Sequence, residues 1–198
     1  MKTKPFFMKF FVILLLTGIY SWTVSAQETK DCKKKAKVET KDCKTKAKIA
    51  VKDMKALKAL VIKADVPTSE VGPKMGEIYG FLFNYTIQNQ ISSVGPPFAV
   101  YLSYDPEGNT VFEAGLPVAE ETSGSGEVEY REYPATKAVS MLYTGPYEKM
   151  EPAYEKIMQY IKENNLKDKG TAMETYLTDP NEEPDPEKYQ TIISFPIE

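Results

Sequence analysis

Two rhythms of hydrophobic positions run through this chain. Tyr147, Met150, Tyr154, Ile157, Met158 and Ile161 recur every three or four residues, which predicts a helix with one buried face over about 148–164. Met75, Ile78, Tyr79, Leu82, Phe83 and Ile87 repeat the rhythm and predict a helix over roughly 74–89. The remaining apolar segments are short or alternate with polar residues, as strands do: Leu60–Ile62, Phe98–Tyr104, Val111–Val118, Val128–Tyr133, Lys137–Tyr143, 171–177 and Gln190–Phe195. Turn residues separate them. They include Gly72-Pro73, Gly95-Pro96-Pro97, Asp105 to Asn109, Ser123 to Gly126, Gly145-Pro146 and the helix stop Asn164-Asn165. Pro117 places the end of its strand at a sheet edge. Pro152 either opens its helix or kinks it. The order is β-α-β-β followed by β-β-α-β-β, which specifies an α+β fold.

The two segments are related. Shifted by 75 residues, Lys74, Met75 and Tyr79 fall on Lys149, Met150 and Tyr154, Asn89 on Asn164, Gly95 on Gly170, Tyr101 on Tyr176 and Leu102 on Leu177. Two copies make a closed pseudo-symmetric domain rather than a solenoid. Its halves are read as about 57–120 and 127–198.

Charge divides the chain differently. Residues 27–60 carry 12 Lys against 5 acidic residues, a net +7, and residues 61–198 carry 10 Lys+Arg against 23 Asp+Glu, a net −13. The acidic domain argues against nucleic acid as a partner, because phosphates are repelled. Residues 1–26 read as a cleavable export signal: Lys2, Lys4 and Lys9, an apolar run from Phe10 to Tyr20, then Val24-Ser25-Ala26. On that reading the protein is exported, periplasmic or secreted, with no transmembrane segment after cleavage. Residues 27–56 form a Lys-rich arm with an 11-residue repeat, Thr29 to Lys33 recurring as Thr40 to Lys44. On a helix Cys32 and Cys43 share a face but stand about 16 Å apart, too far for a disulfide. A pairing between chains, giving a dimer, or within a flexible arm is left open, and the favoured reading of the arm is a solvated Lys-rich tether.

Chemistry is constrained by what is missing. The chain has no His, which removes Ser-His and Cys-His catalysis and most zinc sites. Nothing calls for a cofactor or a metal; the acidic loop Asp179 to Glu187 lacks the ligand spacing of a calcium loop. Glu174 stands between apolar neighbours, and alternation puts Glu174 and Tyr176 on one side of their strand, with Met173, Thr175 and Leu177 on the other. The aromatics Phe98, Tyr101, Tyr143, Tyr147, Tyr154 and Tyr176 gather in the two halves. As a group they suit a groove between the halves, where Glu174 attracts a cation or a hydrogen-bond donor.

From Ala138 to Pro180 the chain resembles the GyrI-like small-molecule-binding family, also called AraC-type effector-binding domains. The resemblance rests on Thr144-Gly145-Pro146-Tyr147, the helix, Asn165-Leu166, Gly170, Met173 to Leu177 and Asp179-Pro180. A weaker copy, about Met75 to Val118, extends it over residues 57–198. The resemblance implies two β-α-β-β halves forming a curved antiparallel sheet with two helices and a central groove for small hydrophobic or cationic molecules, with Glu174 as the groove carboxylate. The expected ligand-binding residues are Glu174, Tyr176, Tyr147, Tyr143, Tyr101 and Phe98. The favoured role is small-molecule binding. A hydrolase using Glu174 and a Tyr as acid and base, and an envelope interaction protein acting through the basic arm, are the alternatives.

Overall fold

A computed structural model describes residues 48–198; the segment read as an export signal, and Cys32 and Cys43, lie outside them. The chain runs β1 (Ala50–Met54), β2 (Leu57–Pro67), α1 (Val71–Gln88), β3 (Phe98–Ser103), β4 (Asn109–Pro117), β5 (Glu129–Tyr133), β6 (Thr136–Thr144), α2 (Glu151–Glu163), β7 (Ala172–Tyr176) and β8 (Gln190–Ile197). All the strands join one antiparallel sheet in the order β1-β6-β8-β7-β3-β4-β2-β5. Each half is therefore a β-β-α-β-β unit, and the leading strand of each half pairs with the second strand of the other.

That exchange curves the sheet. Met54 lies opposite Thr136 and Leu57 opposite Tyr133, so one register runs through the two-residue links Lys55-Ala56 and Pro134-Ala135. The linked strands pass from one end of the sheet to the other and bring its ends together as a half-barrel. β1 corrects the expected domain start at 57: its residues resemble the Lys-rich arm in composition, yet they pair with β6. Pro117 is corrected too. β4 sits between β3 and β2, not at an edge, and Pro117 ends the strand opposite Ala59.

Both helices stop in the same way. Asn89 and Asn164 donate their side-chain amides to the carbonyls of Tyr85 (2.9 Å) and Tyr160 (2.8 Å). Gln90 (φ 57°) and Asn165 (φ 51°) then take the left-handed conformation that reverses a chain at a helix end. Pro152 falls in the first turn of α2, where a missing N–H costs nothing. The helices cover one face of the sheet. Beneath α1, Ile78 and Leu82 pack on Leu60, Phe112 and Leu116; beneath α2, Ile157 and Ile161 pack on Val139, Met141 and Ile193. Tyr101 touches both clusters. The opposite face holds a third cluster of Ala59, Val61, Phe98, Val100 and Met173, against which Met54 and Leu57 of the bend pack.

Gly115 belongs to that third cluster's packing. A Cβ there would meet Phe98 Cζ at 2.7 Å and Val61 Cγ1 at 2.8 Å. Gly115→Ala is expected to destabilise the protein by about 1–3 kcal/mol, the usual cost of overpacking, measured by denaturant unfolding. A cost below about 0.5 kcal/mol would show that the Phe98 ring yields freely.

Candidate functional site

The site sits where the two halves meet. β3 and β7 pair antiparallel with Ala99 opposite Glu174, Phe98 opposite Thr175 and Val100 opposite Met173. The 75-residue shift that relates the halves carries Ala99 onto Glu174 itself. The Ala99–Glu174 pair is thus the one position in this ladder that the duplication maps onto itself, and the pseudo-two-fold axis passes through it. One carboxylate stands on the axis, and its equivalent in the other half is a methyl group.

Glu174 faces the helices and is 3% exposed. Tyr154 of α2 donates its hydroxyl to Oε1 at 2.5 Å. Tyr176 donates to Oε2 at 2.6 Å and Tyr101 of β3 to the same oxygen at 3.3 Å. The Tyr176 hydroxyl also lies 3.2 Å from Met75 Sδ. Tyr79 of α1 meets the Tyr176 ring edge-on at 6.2 Å and donates to the Phe98 carbonyl at 2.7 Å. These four tyrosines are two pairs related by the duplication, Tyr79 with Tyr154 on the helices and Tyr101 with Tyr176 on the strands. Tyr147 stacks edge-on against Tyr176 at 5.6 Å, and Tyr189 lies 5.3 Å from Tyr147.

Burial pushes the Glu174 carboxyl above the usual carboxylate range, and the three hydroxyl donors pull partly back. The hydroxyls of Tyr79, Tyr101, Tyr154 and Tyr176 are all pushed up, by burial first; for Tyr101, Tyr154 and Tyr176 the Glu174 charge comes next, and for Tyr79 it follows that of Tyr101. They remain donors at neutral pH. Among the described residues no Lys or Arg pairs with Glu174. A second buried carboxylate provides a contrast. Glu113 accepts from Tyr133 at 2.7 Å but also lies 3.4 Å from the Arg131 guanidinium. Among the described residues Glu113 has a countercharge and Glu174 has hydroxyls only, and a buried carboxylate without a countercharge favours a cation.

Of the six expected residues, Glu174, Tyr176, Tyr101 and Tyr147 come together. Phe98 does not. Its side chain is on the other face of the sheet, 5.4 Å edge-on to Tyr133, because it stands three residues from Tyr101 in one strand and alternation separates them. Tyr143 is on the helix-covered face, but its hydroxyl donates to the Pro146 carbonyl at 2.9 Å and closes the Gly145 turn. Tyr154, Tyr79, Met75 and Tyr189 were outside that set. The signal for the first two was present: they are each other's equivalents under the same shift that pairs Tyr101 with Tyr176. Among the described residues, no group of His, Cys, Asp and Glu could hold a metal ion.

The sequence pattern of the GyrI-like small molecule binding domain matches residues 47–198. This chain belongs to that family. Among curated proteins no sequence matches it. It is similar in structure to EcmrR in a complex with DNA (20% identity, TM-score 0.68, covering 76% of this chain and 57% of that one). The GyrI-like chain thus spans a little over half of that EcmrR chain. It is also similar to the EcmrR C-terminal domain (21% identity, TM-score 0.65, covering 77% and 98%). A third likeness is to SAV2435 bound to tetraphenylphosphonium (12% identity, TM-score 0.54, covering 76% and 94%). At these identities the likeness is one of fold. It corrects the expectation of an exported, periplasmic or secreted protein: the similar structures include a protein bound to DNA, which is not the setting of an exported one. No helix among the described residues is long and apolar enough to cross a membrane.

Proposed function

We propose that this GyrI-like domain binds a small lipophilic cation between its two helices, with Glu174 as the countercharge and Tyr79, Tyr101, Tyr147, Tyr154 and Tyr176 as the aromatic surround. The observation that carries this reading is the buried carboxylate on the pseudo-two-fold axis, ringed by hydroxyls and, among the described residues, without a cationic side chain. Aromatic faces attract a cation on their own account, by about 2 kcal/mol or more once desolvated. SAV2435, of the same fold, is seen with such a cation bound.

The test is thermal unfolding with tetraphenylphosphonium and with neutral triphenylphosphine oxide. A ligand that binds only the folded state stabilises it by about 2.7 kcal/mol at a hundredfold excess over Kd, so the cation should raise the midpoint and the neutral compound should raise it less. No shift with tetraphenylphosphonium or any other lipophilic cation would sink the reading.

The raised Glu174 pKa adds a pH dependence with a definite sign. Without ligand, this group's contribution to stability is fully present below the ordinary Glu range and is lost as pH rises through the raised folded value. A bound cation favours the ionised carboxylate. Affinity should therefore rise with pH through that window and then level off, with protons released on binding inside it. Calorimetry in buffers of different ionisation enthalpy measures the release; a pH-independent affinity with no proton released would remove Glu174 from the charge role.

A further inference from the structure

The duplication gives the domain an internal control, and one segment departs from it. β3 and β4 are joined by residues 104–108, whereas β7 and β8 are joined by residues 177–189. The longer link carries Asp179, Glu182, Glu183, Asp185 and Glu187 against one cation, Lys188. The two links are equivalent by their hydrogen bonds: Thr68 N–H donates to the Gly108 carbonyl in the first half, as Gly145 N–H donates to the Tyr189 carbonyl in the second. Tyr189 thus takes the place of a glycine. Tyr147 does the same, since the helix shift puts Gly72 at its equivalent. The second half has added two aromatic rings and an acidic loop that the fold does without in the first.

Those additions point at Glu174. Tyr189 lies 5.3 Å from Tyr147, Tyr147 lies 5.6 Å from Tyr176, and the Tyr176 hydroxyl touches Glu174. The rings form a continuous path from the half-buried Tyr189 to the buried carboxylate. Lys149, two residues beyond Tyr147, pairs with Glu187, two residues before Tyr189, at 2.7 Å, holding the loop beside the turn. Burial raises the Tyr147 hydroxyl, and Tyr189, Glu174, Asp179 and Glu148 then act on it in the same direction, so negative potential from the loop and from the site meets at this ring.

Building on the cation reading above, we infer that the β7–β8 loop is the receiving end of the site: its carboxylates draw the cation in, and the Tyr189–Tyr147 pair passes it to Glu174. Carboxylates clustered at a mouth raise the local concentration of a cation and speed its association, and salt screens the effect. Aromatic faces give the desolvating cation a surface to follow.

Stopped-flow association of tetraphenylphosphonium, followed by tyrosine fluorescence, tests this in the intact chain. Glu182→Gln/Glu183→Gln should slow association about three- to tenfold at low salt, flatten its salt dependence and leave the dissociation rate unchanged. Glu183 accepts the Asp185 N–H at 3.1 Å, and the amide oxygen of the substituted side chain can still accept it. Tyr189→Ala should slow association and dissociation together, because it removes a face that the cation follows in either direction, and Tyr189→Phe should restore the original rates. An association rate indifferent to the loop charges overturns the steering. A Tyr189→Ala variant that changes dissociation alone makes Tyr189 a contact and overturns the passage. Wild-type protein that binds no cation defeats the binding reading itself, and with it the mouth.

Discussion

Replacing Glu174 by Gln is expected to move two observables in opposite directions. Affinity for tetraphenylphosphonium should fall by roughly 30- to 4,000-fold, the equivalent of the 2–5 kcal/mol lost when one member of a buried charge pair is removed. The stability of the ligand-free protein at neutral pH should rise, because Gln keeps an acceptor for the tyrosine hydroxyls and removes a charge that burial disfavours. Glu113→Gln is the matching control. It breaks a buried carboxylate away from Arg131 on the other face of the sheet, so it should cost stability and leave cation affinity intact. Isothermal calorimetry and chemical unfolding on both variants decide the matter. Equal losses of affinity in the two would mean that the effect is general destabilisation. A Glu174→Gln variant that binds the cation as well as wild type would show that the tyrosines alone hold it.

The reason for expecting opposite signs lies in how the site is built. Among the described residues Glu113 has Arg131 as a countercharge. Glu174 has instead three hydroxyls, which stabilise the charge partly and stay protonated. They hold the carboxylate in place without neutralising it. On the proposed cation reading, a fourth contact from the ligand would complete what the hydroxyls leave undone.

The helices, the order of strands and the pairing of Glu174 with Tyr176 on one side were legible in the sequence, because each depends on local period and turn residues. β1 was not. Its residues Ala50 to Met54 continue a Lys-rich repeat in composition, and their extended state depends on pairing with β6, far downstream in the chain. Phe98 departs for a different reason: as an aromatic it groups with the tyrosines in composition, although its odd spacing from Tyr101 within one strand assigns it to the other face. Tyr143 satisfies the alternation and still misses the carboxylate, since its hydroxyl is used by the Gly145 turn, a contact that no periodicity encodes. Tyr79 and Tyr154 look like ordinary core positions of amphipathic helices. The 75-residue shift relates them to each other, and Tyr154 falls in the aromatic group read from the sequence, but the convergence of both helix faces on one residue of the neighbouring strand is a property of the fold.

Moving the carboxylate across the pseudo-two-fold axis makes the strongest test of that convergence. Glu174→Ala should abolish high-affinity cation binding, with a loss at least as large as that for Gln. Adding Ala99→Glu should recover it to within about tenfold of wild type, a residual penalty of about 1.4 kcal/mol. Ala99 is fully buried directly opposite Glu174, and Ala in place of Glu174 opens space beside it. The duplication then exchanges the partners. Tyr79 becomes the equivalent of Tyr154, and Tyr176 and Tyr101 trade places as the near and far strand donors. The geometry is not perfectly symmetric, because Tyr147 adjoins Tyr176 while Gly72 stands at the matching position in the first half; this asymmetry is why recovery should stop short of the wild-type value. Calorimetric titration of the single and double variants, both checked by circular dichroism for native structure, gives the answer. A folded double variant with affinity no better than Glu174→Ala would mean that the site depends on the particular backbone of β7 rather than on a carboxylate shared by two related halves.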